Sequence, residues 1–341
     1  MIRQLLLFSL SLIISLPAYS KSNSKPGEAL FKTHCAICHG ANRLGLMGPA
    51  LLPENLKRLR KKSAVKTIMH GRPATQMPAF KDKLKPAEID KLVSYIYTPL
   101  KQTPRWGEKE IRSSQIIYSD AQNLPDKPVW DADPMNLFIV VELGDHHATL
   151  LNGDTFEPIH RFKTRFALHG GPKYSNDGRY VYFGSRDGWV SKYDIYNLKT
   201  VAEVRAGINL RNIAVSHDGR YVMVANYLPH TLVLLDARDL SLIKIIDVKN
   251  EKGESSRVSA VYTADPRNSF VAALKDLPEV WEINYADNPP PGFASWEHDY
   301  NEESGDVVKP EPFPVRRIAV TSYLDDFFFN QEYDLIPGTS R

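Results

Sequence analysis

Six residues of this chain return almost unchanged 41 positions later: Ser175-Asn176-Asp177-Gly178-Arg179-Tyr180 recurs as Ser216-His217-Asp218-Gly219-Arg220-Tyr221. In each copy an Asp-Gly turn launches an alternating strand, over 181–184 and again over 222–226. A second strand ending in aspartate follows each time (189–194, 231–236), then a third (201–205, 243–248). Weaker copies flank these, at 137–142 with 149–152 and at 269–274 with 280–284. A period of about 40–45 residues with some four short strands per unit predicts a β-propeller, in which each unit buries its faces by stacking on its neighbours. A β-sandwich imposes no such period.

The only two cysteines lie far from the repeat, in Cys35-Ala36-Ile37-Cys38-His39. That spacing is the attachment signature of a c-type haem. Each thiol can form a thioether to one vinyl group, and His39 is then placed under the iron as an axial ligand. The competing readings are a redox dithiol, half of a zinc site and a structural disulfide. The histidine directly after the second cysteine argues against all three, as does an export signal upstream.

That signal occupies residues 1–20, with Arg3 in the n-region, an apolar run over 5–16 and Ala18-Tyr19-Ser20 as cleavage site. The apolar run is too short to span a bilayer comfortably, so no stable membrane anchor is expected. The placement is a bacterial periplasm. At 341 residues the chain has room for two domains, and 43% hydrophobic with 24% charged residues is ordinary soluble composition. A formal charge of +3, falling to +2 without Arg3, gives no reason to propose nucleic-acid binding. The division expected is a cytochrome c domain over 21–100, a Pro-rich linker over 101–135 lying across a surface, and the repeat domain over 136–341.

Within the first domain, 27–33 reads as a short helix, and 85–97 as another, with Pro86 in its first turn and Ile89, Leu92, Val93 and Ile96 at helical spacing. A first and last helix crossing beside the haem resembles the small class I c-type cytochromes. The resemblance implies that Gly48-Pro49 orients His39 through a carbonyl. It also implies a methionine sixth ligand before the last helix, here Met77, with His70 as rival. Met47 and Met69 read as core fillers, and His34 as a surface residue.

The blade wording is more specific still. Gly144-Asp145-His146-His147, Phe166-Ala167-Leu168-His169-Gly170-Gly171-Pro172-Lys173-Tyr174, Ser185-Arg186-Asp187-Gly188-Trp189 and Ala225-Asn226-Tyr227-Leu228-Pro229-His230 resemble the haem d1-binding propeller family of cytochrome cd1 type. The resemblance covers the cytochrome domain and everything from about Trp106 onward. It implies an all-α cytochrome c domain followed by all-β propeller blades, one covalent haem c, and haem d1 or dihydro-haem d1 held non-covalently. It implies His169 as ligand of the haem d1 iron, with His146 and His147 as alternatives. Lys173, Arg186 and Arg211 match the family's basic residues, suited to the pigment's carboxylates, and Tyr227 an aromatic lining position. Arg165, Arg179 and Arg220 read as structural or solvated.

The family closes with eight blades, whereas residues 136–341 hold about five at this period. The chain therefore reads as the front part of a longer product, ending in a polar tail without a closing strand. No counterpart is found for the histidines that the family uses on substrate; His298 is isolated, and the catalytic residues stay unassigned. The implied function is electron transfer coupled to dihydro-haem d1 oxidation in haem d1 biosynthesis, for denitrification. The implied partners are a cytochrome or other soluble electron acceptor and proteins of haem d1 biosynthesis or nitrite reduction. A non-catalytic haem d1 carrier and a cd1-type nitrite reductase stay open. The blade wording is nearer to the biosynthetic members, and no distal proton donors are found for nitrite.

Overall fold

A computed structural model of the chain describes residues 26–102, 104–290, 292–293 and 311–340. The export signal and His298 lie outside them. The N-terminal unit is helical: α1 (Pro26–His34), α2 (Ala36–His39), α3 (Lys61–His70) and α4 (Pro86–Ile96). Helix α4 starts at Pro86, with the Glu88 carboxylate accepting from the Lys85 amide at 2.8 Å, and buries Ile89, Leu92, Val93 and Ile96. These residues form one core with Phe31, Leu56, Ala64, Ile68, Phe80 and Leu84. Helix α1 crosses α4 at Gly27, where an added Cβ would sit 2.3 Å from the Lys91 carbonyl oxygen, so only glycine allows that approach. Arg43 is buried between the haem-motif loop and α4, donating to the carbonyls of Tyr95 (2.7 Å) and Thr98 (3.0 Å). It thereby supplies partners to the carbonyls that a helix end leaves unpaired.

The segment expected as a linker does more than cross a surface. It carries α5 (Glu108–Ser114) and the short strand β1 (Ile116–Ile117), which pairs antiparallel with a strand of the second repeat unit. Ile111 of α5 is fully buried in the core of that unit. Proline content marked the irregular ends of this stretch and concealed the ordered turn between them.

The rest is antiparallel sheet. Strands β2 (Leu137–Glu142), β3 (His147–Asn152) and β4 (Pro158–Lys163) form the first sheet. The second runs β5 (Lys173–Tyr174), β6 (Tyr180–Gly184), β7 (Trp189–Asp194) and β8 (Lys199–Arg205), with β1 on its outer edge. The third is β9 (Asn209–Val215), β10 (Tyr221–Leu228), β11 (Thr231–Asp236) and β12 (Leu242–Asp247). The fourth is β13 (Val258–Ala264), β14 (Ser269–Leu274), β15 (Glu279–Asn284) and β16 (Val315–Ala319). Meander order and the 41-residue repeat thus coincide in the second and third sheets. Beyond them β17 (Leu324–Phe327) pairs with β18 (Gly338–Ser340), a hairpin that reaches into the stretch expected as a polar tail. The two middle strands of the second, third and fourth sheets are buried on both faces, and the second and third sheets pack face to face through Val190, Val204, Ile213, Val224 and Val233.

The two units meet directly. Ala50 and Leu52 of the cytochrome pack with Ile208 and Leu228 of the propeller-like unit, flanked by Leu44, Leu100 and Trp106. No helix among the described residues is long and apolar enough to cross a membrane.

Candidate functional site

Two centres emerge, one in each unit. In the first, the motif winds into a tight helical turn, with the His39 amide bonded to the Cys35 carbonyl at 2.9 Å. Both cysteine side chains are half-buried. Burial, and then Cys38 beside it, pushes the Cys35 thiol up to about 11. Among the described residues no group of three or more His, Cys, Asp or Glu is arranged to hold a metal ion.

His39 is buried, and burial lowers its pKa against the opposing pull of a bond to Pro49. Its Nδ1 donates to the Pro49 carbonyl at 2.8 Å, which fixes the tautomer and leaves Nε2 as a lone-pair donor. Ile37 (76%), Leu46 (59%) and Met47 (52%) are exposed around the motif. The expectation that Met47 fills the core is therefore corrected: it sits in the turn before Gly48-Pro49 and faces outward. Met69 does pack in the cytochrome core, as does Met77. The Met77 loop is stapled to α3 by Phe80 N–H to Ile68 (3.0 Å) and Lys81 N–H to Met69 (3.1 Å). His70 is exposed at the end of α3.

The second centre surrounds His169, on the loop before β5. A cavity of about 250 Å³ is lined by His169, Gly170, Gly171 and Pro172 with Val141, Leu143, Leu168 and Phe183. His169 Nδ1 donates to the Arg211 carbonyl at 2.8 Å. Its Nε2 accepts from Arg211 Nη1 (2.7 Å) and faces Arg186 Nη2 (3.2 Å). Burial first, then Arg186, pulls its pKa down to about 4, so the ring is neutral at physiological pH. A neutral imidazole with one nitrogen tied to a carbonyl is the ligating form.

Tyr227 lies beside it. Its ring centre is 5.9 Å from Arg186, 5.9 Å from Arg211, 5.3 Å from Arg257 and 5.7 Å from Lys275. Arg257 is neutralised by Asp276 at 2.5 Å, and Lys275 pairs with Asp325. Arg186, Arg211 and Lys173 have no ion pair to a carboxylate within 4.0 Å among the described residues. Burial, and then Arg211, lowers the Arg186 pKa, and burial lowers that of Lys173. Lys173 feels the Asp326 carboxylate, but half-buried guanidiniums such as Arg186 and Arg211 are costly without a counter-charge, and a polycarboxylate ligand would relieve the cost. Lys173 donates to Gly170 O at 2.8 Å, and its Nζ lies 6.0 Å from the Tyr262 ring, whose hydroxyl bonds Asp326 at 2.8 Å.

The structure thus gathers His169, Arg186, Arg211 and Tyr227, with Lys173 at the cavity's edge. It does not bring His146 or His147 to them. His146 packs on Phe166 (5.2 Å) and His147 bonds Asp145. Arg165 is engaged by Glu203, Arg179 by Asp194 and Arg220 by Asp218. Sequence reasoning missed Arg257, Lys275, Tyr262 and Asp326. The strand registers supply the signal for Lys275: Gly184, Ala225 and Ala273 occupy one position of their hairpins, opposite Val190, Leu232 and Val280. Arg186, Tyr227 and Lys275 follow two residues later in each. The second interval is 48 instead of 41, lengthened by the connection after β12.

Residues 132–298 match the cytochrome D1 heme domain family, and residues 22–96 match the cytochrome c oxidase cbb3-type subunit III family. The chain is 53% identical over 335 residues to the dihydro-heme d1 dehydrogenase of Pseudomonas aeruginosa, covering 98% of this chain and 64% of that protein. It superimposes on the solved structure of "Dihydro-heme d1 dehydrogenase NirN in complex with DHE" with a TM-score of 0.81 at 54% identity, over 93% of this chain and 63% of that one. Similarity to a nitrite reductase of Stutzerimonas stutzeri is lower, 24% over 287 residues, covering 79% of this chain and 50% of the reductase.

Proposed function

From the matches of residues 132–298 to the cytochrome D1 heme domain and of residues 22–96 to a cytochrome c family, we propose that the chain is a haem d1-binding propeller protein with a cytochrome c unit ahead of the propeller-like one, and that it carries electrons away from a haem d1-class tetrapyrrole as that pigment is oxidised. Haem c would be held by thioethers from Cys35 and Cys38, with His39 and Met77 as the side chains that would bind its iron. His169 ligates the iron of the second pigment, and Lys173, Arg186, Arg211 and Tyr227 hold its acidic rim. The substrate is dihydro-haem d1, and the setting is the periplasm, with residues 1–20 as export signal.

The observation that carries this reading is the pairing of His169 with two guanidiniums that have no ion pair among the described residues, in a unit packed directly on a Cys-x-x-Cys-His domain. The bound pigments supply the redox chemistry: turning a saturated acid side chain into an acrylate releases two electrons and two protons, and a c-type haem passes electrons singly to a soluble acceptor. This chain's residues hold the tetrapyrrole by charge, present a neutral imidazole to its iron and exclude water along the apolar seam between the units.

The test is an anaerobic titration of the oxidised holo-cytochrome with dihydro-haem d1. A bound-pigment absorption band together with reduction of haem c is the expected outcome. Binding without reduction would leave only a carrier, and no binding would overturn the reading.

A further inference from the structure

Arg205 is buried where the two units meet. Its Nη2 donates to the Leu44 carbonyl of the cytochrome at 2.5 Å, and its Nε to the Asp187 carbonyl of the propeller-like unit at 2.7 Å. The guanidinium lies 4.4 Å over the Trp106 ring, and the Trp106 indole N–H returns a bond to the Arg205 carbonyl at 2.8 Å. Ser114 of α5 accepts from the Arg205 amide at 2.9 Å. The former linker therefore clamps this side chain from behind.

Each carbonyl that Arg205 grips is next to a cofactor-side residue. Leu44 precedes Gly45, whose amide bonds the His39 carbonyl at 3.0 Å. Asp187 follows Arg186, whose guanidinium faces His169 Nε2 at 3.2 Å. A chain of covalent and hydrogen bonds thus runs from His39 to His169 and crosses between the units through Arg205. A guanidinium suits this place because its rigid fork can serve two fixed acceptors at once, which an ammonium on a flexible stem cannot do in one plane. We propose that Arg205 is a positioning residue that locks the haem c loop to the wall of the second cofactor's pocket and so sets the electronic coupling between the two centres. This rests on the reading of His169 as the second pigment's site.

The experiment is flash reduction of haem c in holo-protein loaded with haem d1, following the electron onto the bound pigment. R205M is expected to slow this step about tenfold, within the range by which residues that carry inter-site coupling act. The affinity for haem d1 and the haem c spectrum should stay as in the wild type, and R205K, which keeps one bond, should fall between. R205K also serves as the informative variant should R205M not fold. Unchanged transfer in both variants, with haem d1 bound, would overturn the role of Arg205. Failure of the wild type to bind haem d1 would instead overturn the site reading beneath it.

Discussion

His169 and Arg211 are joined twice: the ring Nδ1 donates to the Arg211 backbone carbonyl at 2.8 Å, and the Arg211 guanidinium donates to Nε2 at 2.7 Å. The first bond fixes the tautomer and belongs to the fold. The second occupies the lone pair with a side chain that can swing aside. Removing the imbalance at its source, His169→Ala should abolish the red-region band of bound haem d1. Its affinity should fall by more than the roughly 10- to 100-fold typical of losing a partner that merely orients a ligand. An optical titration reads both, and an unchanged band would place the iron elsewhere.

Arg186 and Arg211 have opposite effects on the free and the loaded protein. With no carboxylate partner among the described residues, each half-buried guanidinium adds repulsion when the pigment is absent. A charge-assisted bond to an acidic substituent is worth about 1.5–3 kcal/mol. Arg186→Gln is therefore expected to weaken haem d1 binding by roughly 10- to 150-fold while leaving the melting temperature of the unloaded protein unchanged or raised. A parallel loss of stability would mark Arg186 as a structural residue.

Met77 and His70 bracket one loop but differ in placement. Met77 packs against the cytochrome core, whereas His70 ends α3 in solvent. Met77→Ala should remove the sulfur-to-iron absorption of oxidised haem c and lower its potential, since a thioether favours ferrous iron. His70→Ala should change neither. Survival of the sulfur band in Met77→Ala would exclude the thioether.

Legibility followed periodicity. The second and third sheets were readable because Asp-Gly turns and terminal aspartates repeat at 41 residues, and α4 because its apolar positions follow one helical stripe. His39 with Pro49, and His169 with Arg186, lie close to each other in the chain or at matching hairpin ends, so motif reading found them. Lys275 escaped because one longer connection shifts the period to 48, and Asp326 because it follows an irregular stretch. Arg205 escaped for a different reason. Its partners are backbone carbonyls 18 and 161 residues away, and a carbonyl leaves no mark in a sequence. Met47 was misjudged because a core role was inferred from residue type alone, and neighbouring Leu46 and Gly48 place it on a turn.

The turn after β6 depends on glycine. Gly188 has φ +91°, and a Cβ there would lie 1.9 Å from the Gly207 carbonyl oxygen, a backbone atom that cannot yield. Gly188→Ala should destabilise the fold by well over the ~1 kcal/mol that ordinary glycine replacements change. Because the turn carries Arg186 and Asp187, haem d1 affinity should fall with it. Chemical denaturation and pigment titration on one preparation test this, and a fall in neither would mean the turn rearranges freely.

Asp187 supplies a pH signature. It is 1% exposed, and burial raises its pKa to about 6 against the opposing effects of Ser185 and Arg205. A carboxyl with a raised native value binds its proton more tightly folded than unfolded, so the folded state is favoured while the proton is on. This contribution is full below about pH 4 and is lost as pH rises to about 6, an amount on the order of 3 kcal/mol for about two pH units. Asp276 works oppositely: despite burial, Arg257 holds it down to about 2, so its contribution disappears only as pH falls below about 4. Asp187→Asn keeps an acceptor for the Ser185 hydroxyl and removes the charge. Relative to the wild type, the variant should therefore gain stability steadily between pH 4 and pH 6 and hold a constant advantage above. Denaturant midpoints taken across that interval measure the slope directly, and a difference independent of pH would mean that the Asp187 carboxylate is solvated in the folded protein.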